Sequence, residues 1–127
     1  MTSGVIRYPC RMYAIRGATQ VSEDSKAAIH EGVIELLTEV MRANQIEASD
    51  VISVLFTATP DLVSDFPAAA ARTIGFGSVP LICAAEISVP GALPRAIRAM
   101  LHVHGRSSDV HHIYLHGAAA LRQDLAQ

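Results

Sequence analysis

A single long amphipathic segment limits most strongly how this chain can fold. Apolar residues recur in it at helical spacing, at Ile29, Val33, Leu36, Leu37, Val40 and Met41. Charged residues fall largely on the opposite side, at Glu31, Glu35, Glu39 and Arg42. This pattern predicts one helix of about 20 residues that buries one stripe. Its expected start has Ser22 as the N-cap and Glu23 and Asp24 in the first turn.

The other patterned segments indicate strands and one short helix. Strands are expected at residues 12–16 (ended by Gly17), 51–58, 79–87 (a central strand), 97–104 and 111–115. In residues 97–104 the alternation places Arg98, Met100, His102 and His104 on one face. Residues 66–72 begin with Phe66-Pro67 and predict one or two helical turns. The order of elements predicts an α+β fold, with one mixed β-sheet packed by one long helix.

Length and composition limit the class of protein. The chain has 127 residues, of which 50% are hydrophobic, enough for one domain over residues 12–127. Residues 1–11 show little pattern and are expected to form a loose N-terminal extension. The net charge of -2 and the lack of a basic run argue against a nucleic-acid partner. The chain is rich in alanine and lacks tryptophan, so its core should be thin, which makes an oligomer that completes the core attractive.

The sequence also indicates a cellular compartment. No signal peptide is visible, and no apolar run is long enough to span a membrane. Cys10 and Cys83 are too few for a disulfide framework, so we expect a reducing, cytoplasmic location.

Glu86 places a carboxylate near the end of the predicted central strand, and this requires an explanation because an unpaired buried carboxylate is costly. Strand ends, strand interiors and apolar loops also carry Arg16, Arg72, Arg98, Tyr114 and Arg122. Arginine presents a rigid fork of donors that suits carboxylates, so these residues together with Glu86 fit a small dianionic ligand. The structural alternative is that Glu86 simply pairs with Arg98, while each remaining arginine rests its stem on apolar neighbours.

Other chemistries find less support. His102, His104, His111 and His112 have no cysteine or carboxylate at ligand spacing, so no metal is expected. Cys83 has no neighbour that clearly activates its thiol, and fits a small core side chain. No G-x-S-x-G context supports a serine nucleophile.

Seven short stretches occur in an order and at a spacing that is specific when taken together. They are IRGAT at 15–19, TATPDL at 57–62, FPA at 66–68 with Arg72, VPLIC at 79–83 with Glu86, IR at 97–98, IYL at 113–115 and LR at 121–122. Over residues 12–125 the chain thereby resembles the monofunctional AroH-type chorismate mutases. This resemblance implies a homotrimeric pseudo-α/β barrel with active sites in clefts between subunits. It also implies the cofactor-free pericyclic rearrangement of chorismate to prephenate, in the shikimate pathway towards phenylalanine and tyrosine.

The resemblance further implies roles for individual residues. Arg98 and Glu86 would be catalytic, and Arg16, Cys83 and Tyr114 would line the same cleft. A neighbouring subunit would contribute Phe66, Ala68 and Arg72, and Arg122 would lie near a C-terminal segment that covers the site. The chain departs from the family pattern in having Ala69 at a usual lysine, Gln123 at a usual proline and a different turn at 88–92.

Three other functions remain open from the sequence. They are a catalytically weak trimer that binds small anions, a Rid-type enamine/imine deaminase with an arginine in an intersubunit cleft, and a purely structural trimer. Loss of chorismate absorbance on adding the protein would exclude the binding and structural functions.

Overall fold

The computed structural model describes residues 11–124, so the predicted extension over residues 1–11 lies almost wholly outside the described residues. The elements are β1 (Met12–Gln20), α1 (Lys26–Asn44), β2 (Val51–Ala58), α2 (Pro67–Arg72), β3 (Leu81–Ala85), β4 (Ala96–His104) and β5 (Ile113–Tyr114). Two 3-10 helices cover Ala48–Asp50 and His116–Asp124. The sheet order is β3-β2-β4-β1-β5, and it contains both parallel and antiparallel pairs. The predicted α+β fold is therefore confirmed, as are the bounds of β2.

Helix α1 packs its apolar stripe against one face of the sheet. Its buried residues are Ile29, Gly32, Val33, Leu36, Leu37 and Val40. The prediction of Ser22 as N-cap was wrong, because the cap is Ser25, whose Oγ accepts the Ala28 N–H at 3.0 Å. Glu23 and Asp24 consequently precede the helix and do not lie in its first turn. Several candidate caps follow one another here, and only the one beside the free N–H groups can serve.

Strand β1 continues through Gly17 and does not end there as predicted. A Cβ at Gly17 would lie 3.1 Å from Leu36 Cδ1 and 3.3 Å from Val40 Cγ2. Helix α1 therefore packs directly on the backbone of the strand at this point. Glycine permits this close approach and does not mark a turn.

Strand β3 lies at an edge of the sheet, so the prediction of a central strand at residues 79–87 was wrong. Pro80 has no N–H to donate, but its carbonyl accepts the Val54 N–H at 3.0 Å and begins the pairing with β2. Proline is tolerated in a sheet mainly at such edges. Beyond the strand, the Glu86 N–H donates to the Ala58 carbonyl at 2.9 Å, which keeps Glu86 beside β2.

Strand β5 is shorter than the predicted strand over 111–115, because only Ile113–Tyr114 pair with β1. Immediately before it, a side chain takes the place of a backbone partner: His112 Nδ1 accepts the Arg16 N–H at 2.9 Å. This hydrogen bond ties the segment that carries Tyr114 to the middle of β1.

Candidate active site

The two faces of the sheet are covered differently. On the helix side, β4 presents the buried residues Ile97, Ala99, Leu101 and Val103. The opposite face carries Arg98, Met100, His102 and His104, as the alternation predicted. This open face holds a cleft of about 290 Å³, whose polar lining is Arg16, Thr57, Glu86, Arg98 and Tyr114. Its apolar lining includes Leu55 and Met100.

Strand register brings most of the polar lining into one row across the sheet. Arg98 lies opposite Thr57 on β2 and opposite Ala18 on β1. Ala18 in turn lies opposite Tyr114 on β5. Directly opposed residues on neighbouring strands project to the same face. Between Arg98 and Tyr114 this row contains Ala18, whose small side chain is fully buried.

Glu86 forms the charged end of this row. Its Oε2 lies 3.1 Å from Arg98 Nε and also accepts a hydrogen bond from Thr57 Oγ1. The Glu86 side chain is 17% exposed, whereas the Arg98 side chain is 48% exposed. The Arg98 guanidinium carries two terminal nitrogens besides Nε, and its half-exposed side chain can offer donors to an anionic group in the cleft.

Arg16 occupies the next row of the same face, opposite Met100 on β4. Its backbone N–H is held by His112 Nδ1, which must therefore be the unprotonated nitrogen of that ring. Burial, and then the positive charges of Arg16 and Arg122, lower the pKa of His112. A neutral His112 thus fixes β5 against β1 without adding charge to the cleft.

Tyr114 and Arg122 meet at the other end of the row. The Arg122 Cζ lies 5.8 Å from the centroid of the Tyr114 ring, within the range of a cation–π contact. Arg122 is carried by the 3-10 helix His116–Asp124 and is exposed. The C-terminal segment therefore brings a further positive charge to the edge of the cleft.

The residues predicted to come from a neighbouring subunit do not line this chain's own cleft. Phe66 precedes α2 and is 69% exposed, and Arg72 at the end of α2 is also exposed. Ala68, by contrast, is buried in the core. Helix α2 packs mainly against α1, on the helix side of the sheet.

The loop before Phe66 is held firmly. Asp24 Oδ1 accepts the N–H groups of Val63 and Ser64 at 3.0 and 3.1 Å. Asp65 accepts the Phe66 N–H at 2.7 Å and lies 2.6 Å from His30 Nε2. The hydrogen bond from the Phe66 N–H has the larger effect in lowering the pKa of the Asp65 carboxyl, and the one from His30 adds to it. The exposed Phe66 ring is thus presented from a fixed backbone.

Cys83 and Ala69 also lie outside the described cleft. Cys83 is opposite Phe56 across β3 and β2, and it packs against the buried core as a free thiol. Ala69 lies in the middle of α2 and is half-buried.

Sequence reasoning gave no role in the site to several residues that line the cleft, among them Leu55, Thr57 and Met100. Alternation along β2 was the available signal, since residues two apart on a strand share a face. Leu55 and Thr57 share the open face, while Phe56 between them is fully buried.

Two further observations concern the described residues 11–124. No group of three or more histidine, cysteine or acidic residues there is arranged to hold a metal ion. No helix in this part of the chain is both long and apolar enough to cross a bilayer.

A wider groove of about 550 Å³ lies at the start of α1, on the helix side, and its lining includes Glu31, Glu35 and His116.

Comparison with known proteins gives consistent matches. The sequence model of the family described as chorismate mutase type I matches residues 12–125. The chorismate mutase AroH of Thermus thermophilus is 47% identical over 114 residues, covering 87% of this chain and 93% of that protein. The AroH of Bacillus subtilis (strain 168) is 37% identical over 115 residues, covering 88% and 91% respectively.

A solved structure agrees with these sequence matches. A chorismate mutase from Clostridium thermocellum superposes with a TM-score of 0.82 at 44% identity, covering 85% of this chain and 98% of that one. The family model's match over residues 12–125 includes the strands that build the cleft and the helix that backs them. The chain belongs to the chorismate mutase type I family.

Proposed function

We propose that this chorismate mutase, an isomerase, converts chorismate to prephenate in the cleft on the open face of its sheet, with no cofactor or metal. The observation that carries the proposal is the Glu86–Arg98 ion pair in the cleft lining, in which Arg98 Nε lies 3.1 Å from Glu86 Oε2. A [3,3] rearrangement requires no nucleophile and no proton transfer. The protein has to hold a folded substrate conformer and stabilise a polarised transition state.

Arg98 provides the electrostatic stabilisation in this proposal. As the C–O bond breaks, the ether oxygen gains partial negative charge, and the terminal nitrogens of Arg98 donate to it. Such a donor favours the transition state over the ground state because the charge exists only during the reaction. Glu86 holds Arg98 through Nε and accepts a hydrogen bond from the ring hydroxyl of the substrate.

Arg16 and Tyr114 bind the side-chain carboxylate of the substrate in this arrangement. Both line the same cleft as Glu86, and Arg98 lies between Tyr114 and Glu86 in the row across the sheet. A guanidinium and a phenol can hold a carboxylate together, the first by charge and the second by an O–H donor. This contact restrains the conformer, which is the positioning part of the catalysis.

A neighbouring subunit completes the cleft in a homotrimer and supplies Phe66 and Arg72, while Ala68 stays buried in its own chain's core. Support comes from exposed apolar side chains on the open face and at the sheet edge, where Leu55 is 40% and Ile82 is 64% exposed. Exposed apolar area of this kind is typical of surfaces that associate. The exposed Phe66 and Arg72, turned away from their own cleft, are then free to reach another. Sedimentation equilibrium gives the mass of the assembly in solution, for which we expect a trimer. A monomer mass would exclude the shared cleft.

Arg122 covers the substrate from the C-terminal segment once the cleft is filled. Its contact with the Tyr114 ring keeps it at the cleft edge beforehand. Ala69 supplies no charge where the family usually has a lysine, so the substrate is attracted by the arginines alone. The expected consequence is a weaker affinity with the reaction type unchanged.

Turnover is tested by following the loss of chorismate absorbance and the appearance of prephenate. Wild-type protein is expected to convert chorismate, whereas Arg98→Ala should be severely impaired. A protein that binds chorismate without converting it would support the anion-binding alternative and overturn the proposal. In cells, we place the protein in the cytoplasm in phenylalanine and tyrosine biosynthesis. Restored growth of a mutase-deficient bacterium without these two amino acids tests that placement.

A further inference from the structure

Thr57 makes a contact in the cleft that none of the roles above uses. Its Oγ1–H donates to Glu86 Oε2, the same oxygen that lies 3.1 Å from Arg98 Nε. An ionised carboxylate can only accept, so the direction of this hydrogen bond is fixed. Within residues 11–124, no hydrogen bond reaches the other oxygen, Oε1. The carboxylate is therefore held by one oxygen and leaves the second for the cleft.

We propose that Thr57 is a positioning residue that sets the orientation of Glu86 and, through it, the availability of the Arg98 donors. Resting on the proposed function, this inference assigns Thr57 a task in catalysis without contact with the substrate. Thr57 and Arg98 are directly opposed on β2 and β4, which brings the hydroxyl to the ion pair.

Glu86 requires such a partner because its own segment gives it little support. It follows the last residue of an edge strand, and residues 86–95 contain no helix or strand. One backbone hydrogen bond, to the Ala58 carbonyl, fixes its main chain there. Thr57, in contrast, lies on β2 between two paired strands, and its branched side chain has few rotamers. The residue within the sheet therefore orients the one that follows the edge strand.

The hydroxyl also determines how Glu86 and Arg98 pair. Arginine and carboxylate groups frequently form two parallel hydrogen bonds, which would occupy a terminal nitrogen of Arg98 as well as Nε. Thr57 takes up capacity on Oε2, the oxygen that lies 3.1 Å from Arg98 Nε, and so opposes rotation of the carboxylate. Without the hydroxyl, the carboxylate can rotate into the two-bond arrangement. A donor needed by the ether oxygen would then be spent on Glu86.

Thr57→Val tests the idea because valine keeps the branched shape and loses the hydroxyl. We expect kcat to fall by about tenfold or more, the scale of one hydrogen bond to a charged group, with a smaller change in KM. Thr57→Ser restores the donor and should return kcat to within about twofold of wild type. Ser53→Ala is the matched control, since Ser53 lies on the same strand, bonds His102 at 3.2 Å and does not line the cleft.

A double-mutant cycle separates positioning from a general structural effect. If Thr57 acts through Glu86, then Thr57→Val changes kcat by less than about twofold in a Glu86→Ala background. An equal loss in both backgrounds would overturn the inference, as would near-normal kcat in Thr57→Val alone. Should that variant fold poorly in thermal unfolding, Thr57→Ala enters the same cycle in its place. Failure of the wild-type protein to convert chorismate would instead overturn the proposed function, so the two failures are distinguishable.

Discussion

Replacing Arg98 with lysine keeps a positive charge in the cleft but removes the fork of donors. In the native protein Nε lies 3.1 Å from Glu86 Oε2, and the terminal nitrogens extend beyond it. A lysine side chain ends near the position of this pair, so its ammonium group binds Glu86 and has no donor left to extend further. Arg98→Lys therefore removes the contact to the ether oxygen and leaves the ion pair in place.

The size of the effect follows from that single lost donor. Removing one donor aimed at developing negative charge costs about 3–4 kcal/mol. With about 1.4 kcal/mol for each factor of ten, kcat should fall by roughly 10²–10³. KM should change by less than about tenfold, because Arg16 and Tyr114 still bind the carboxylate.

Initial rates of chorismate loss over a range of substrate concentrations give kcat and KM separately. Arg106→Lys is the control, since Arg106 is an exposed residue in the turn after β4 and lies outside the cleft. Its kcat should equal that of the wild type. A kcat for Arg98→Lys within about threefold of wild type would refute the assigned role of the guanidinium.

Three further predictions concern pH and packing. First, kcat should be nearly flat between about pH 6 and 8, since the mechanism transfers no proton, and a sharp bell in this range would contradict it. Second, the lowered pKa of His112 means that the unfolded chain takes up a proton that the folded chain resists, so folding stability falls as pH drops below the ordinary value of 6.5. His112→Asn, which keeps an acceptor for the Arg16 N–H, should reduce this loss in urea unfolding at about pH 7 and 5, and an unchanged loss would exclude His112 as its source. Third, a Cβ at Gly32 would lie 2.5 Å from Val21 Cγ1, so Gly32→Ala should lower the free energy of unfolding despite the better helix propensity of alanine. Overpacking costs about 1–3 kcal/mol, against about 1 kcal/mol gained from propensity, and a stabilised variant in urea unfolding would show that Val21, just after β1, moves aside easily.

Local patterns predicted those features that depend on neighbours in sequence. Helical spacing located α1, and alternation along β4 separated Arg98 from the buried side of the sheet. Family resemblance supplied the substrate, which no spacing of residues could name. Arg16, Glu86, Arg98 and Tyr114 were all predicted for the site, and the structure brings all four into one cleft.

The features that sequence missed depend on contacts between distant parts of the chain. Gly17 resembles a strand end until Leu36 of α1 is seen to pack against it. The apolar run over 79–87 resembles a central strand, although its place in the sheet is set by which strands pair with it. Thr57 is one of several hydroxyl residues near the end of β2, and only the pairing of β2 with β4 brings it to Arg98. In each case the deciding partner lies far away in sequence.

Mixed oligomers test most directly the claim that two copies of this chain share each cleft. Chains carrying Arg98→Ala and chains carrying Arg72→Ala are co-expressed with different affinity tags, and oligomers with both tags are isolated. Each variant alone should be nearly inactive, because every cleft lacks one arginine. In a mixed cyclic trimer one cleft of three combines an intact Arg98 with an intact Arg72, so activity should return to about one third of wild type. Activity that stays at the level of the separate variants would contradict the shared cleft.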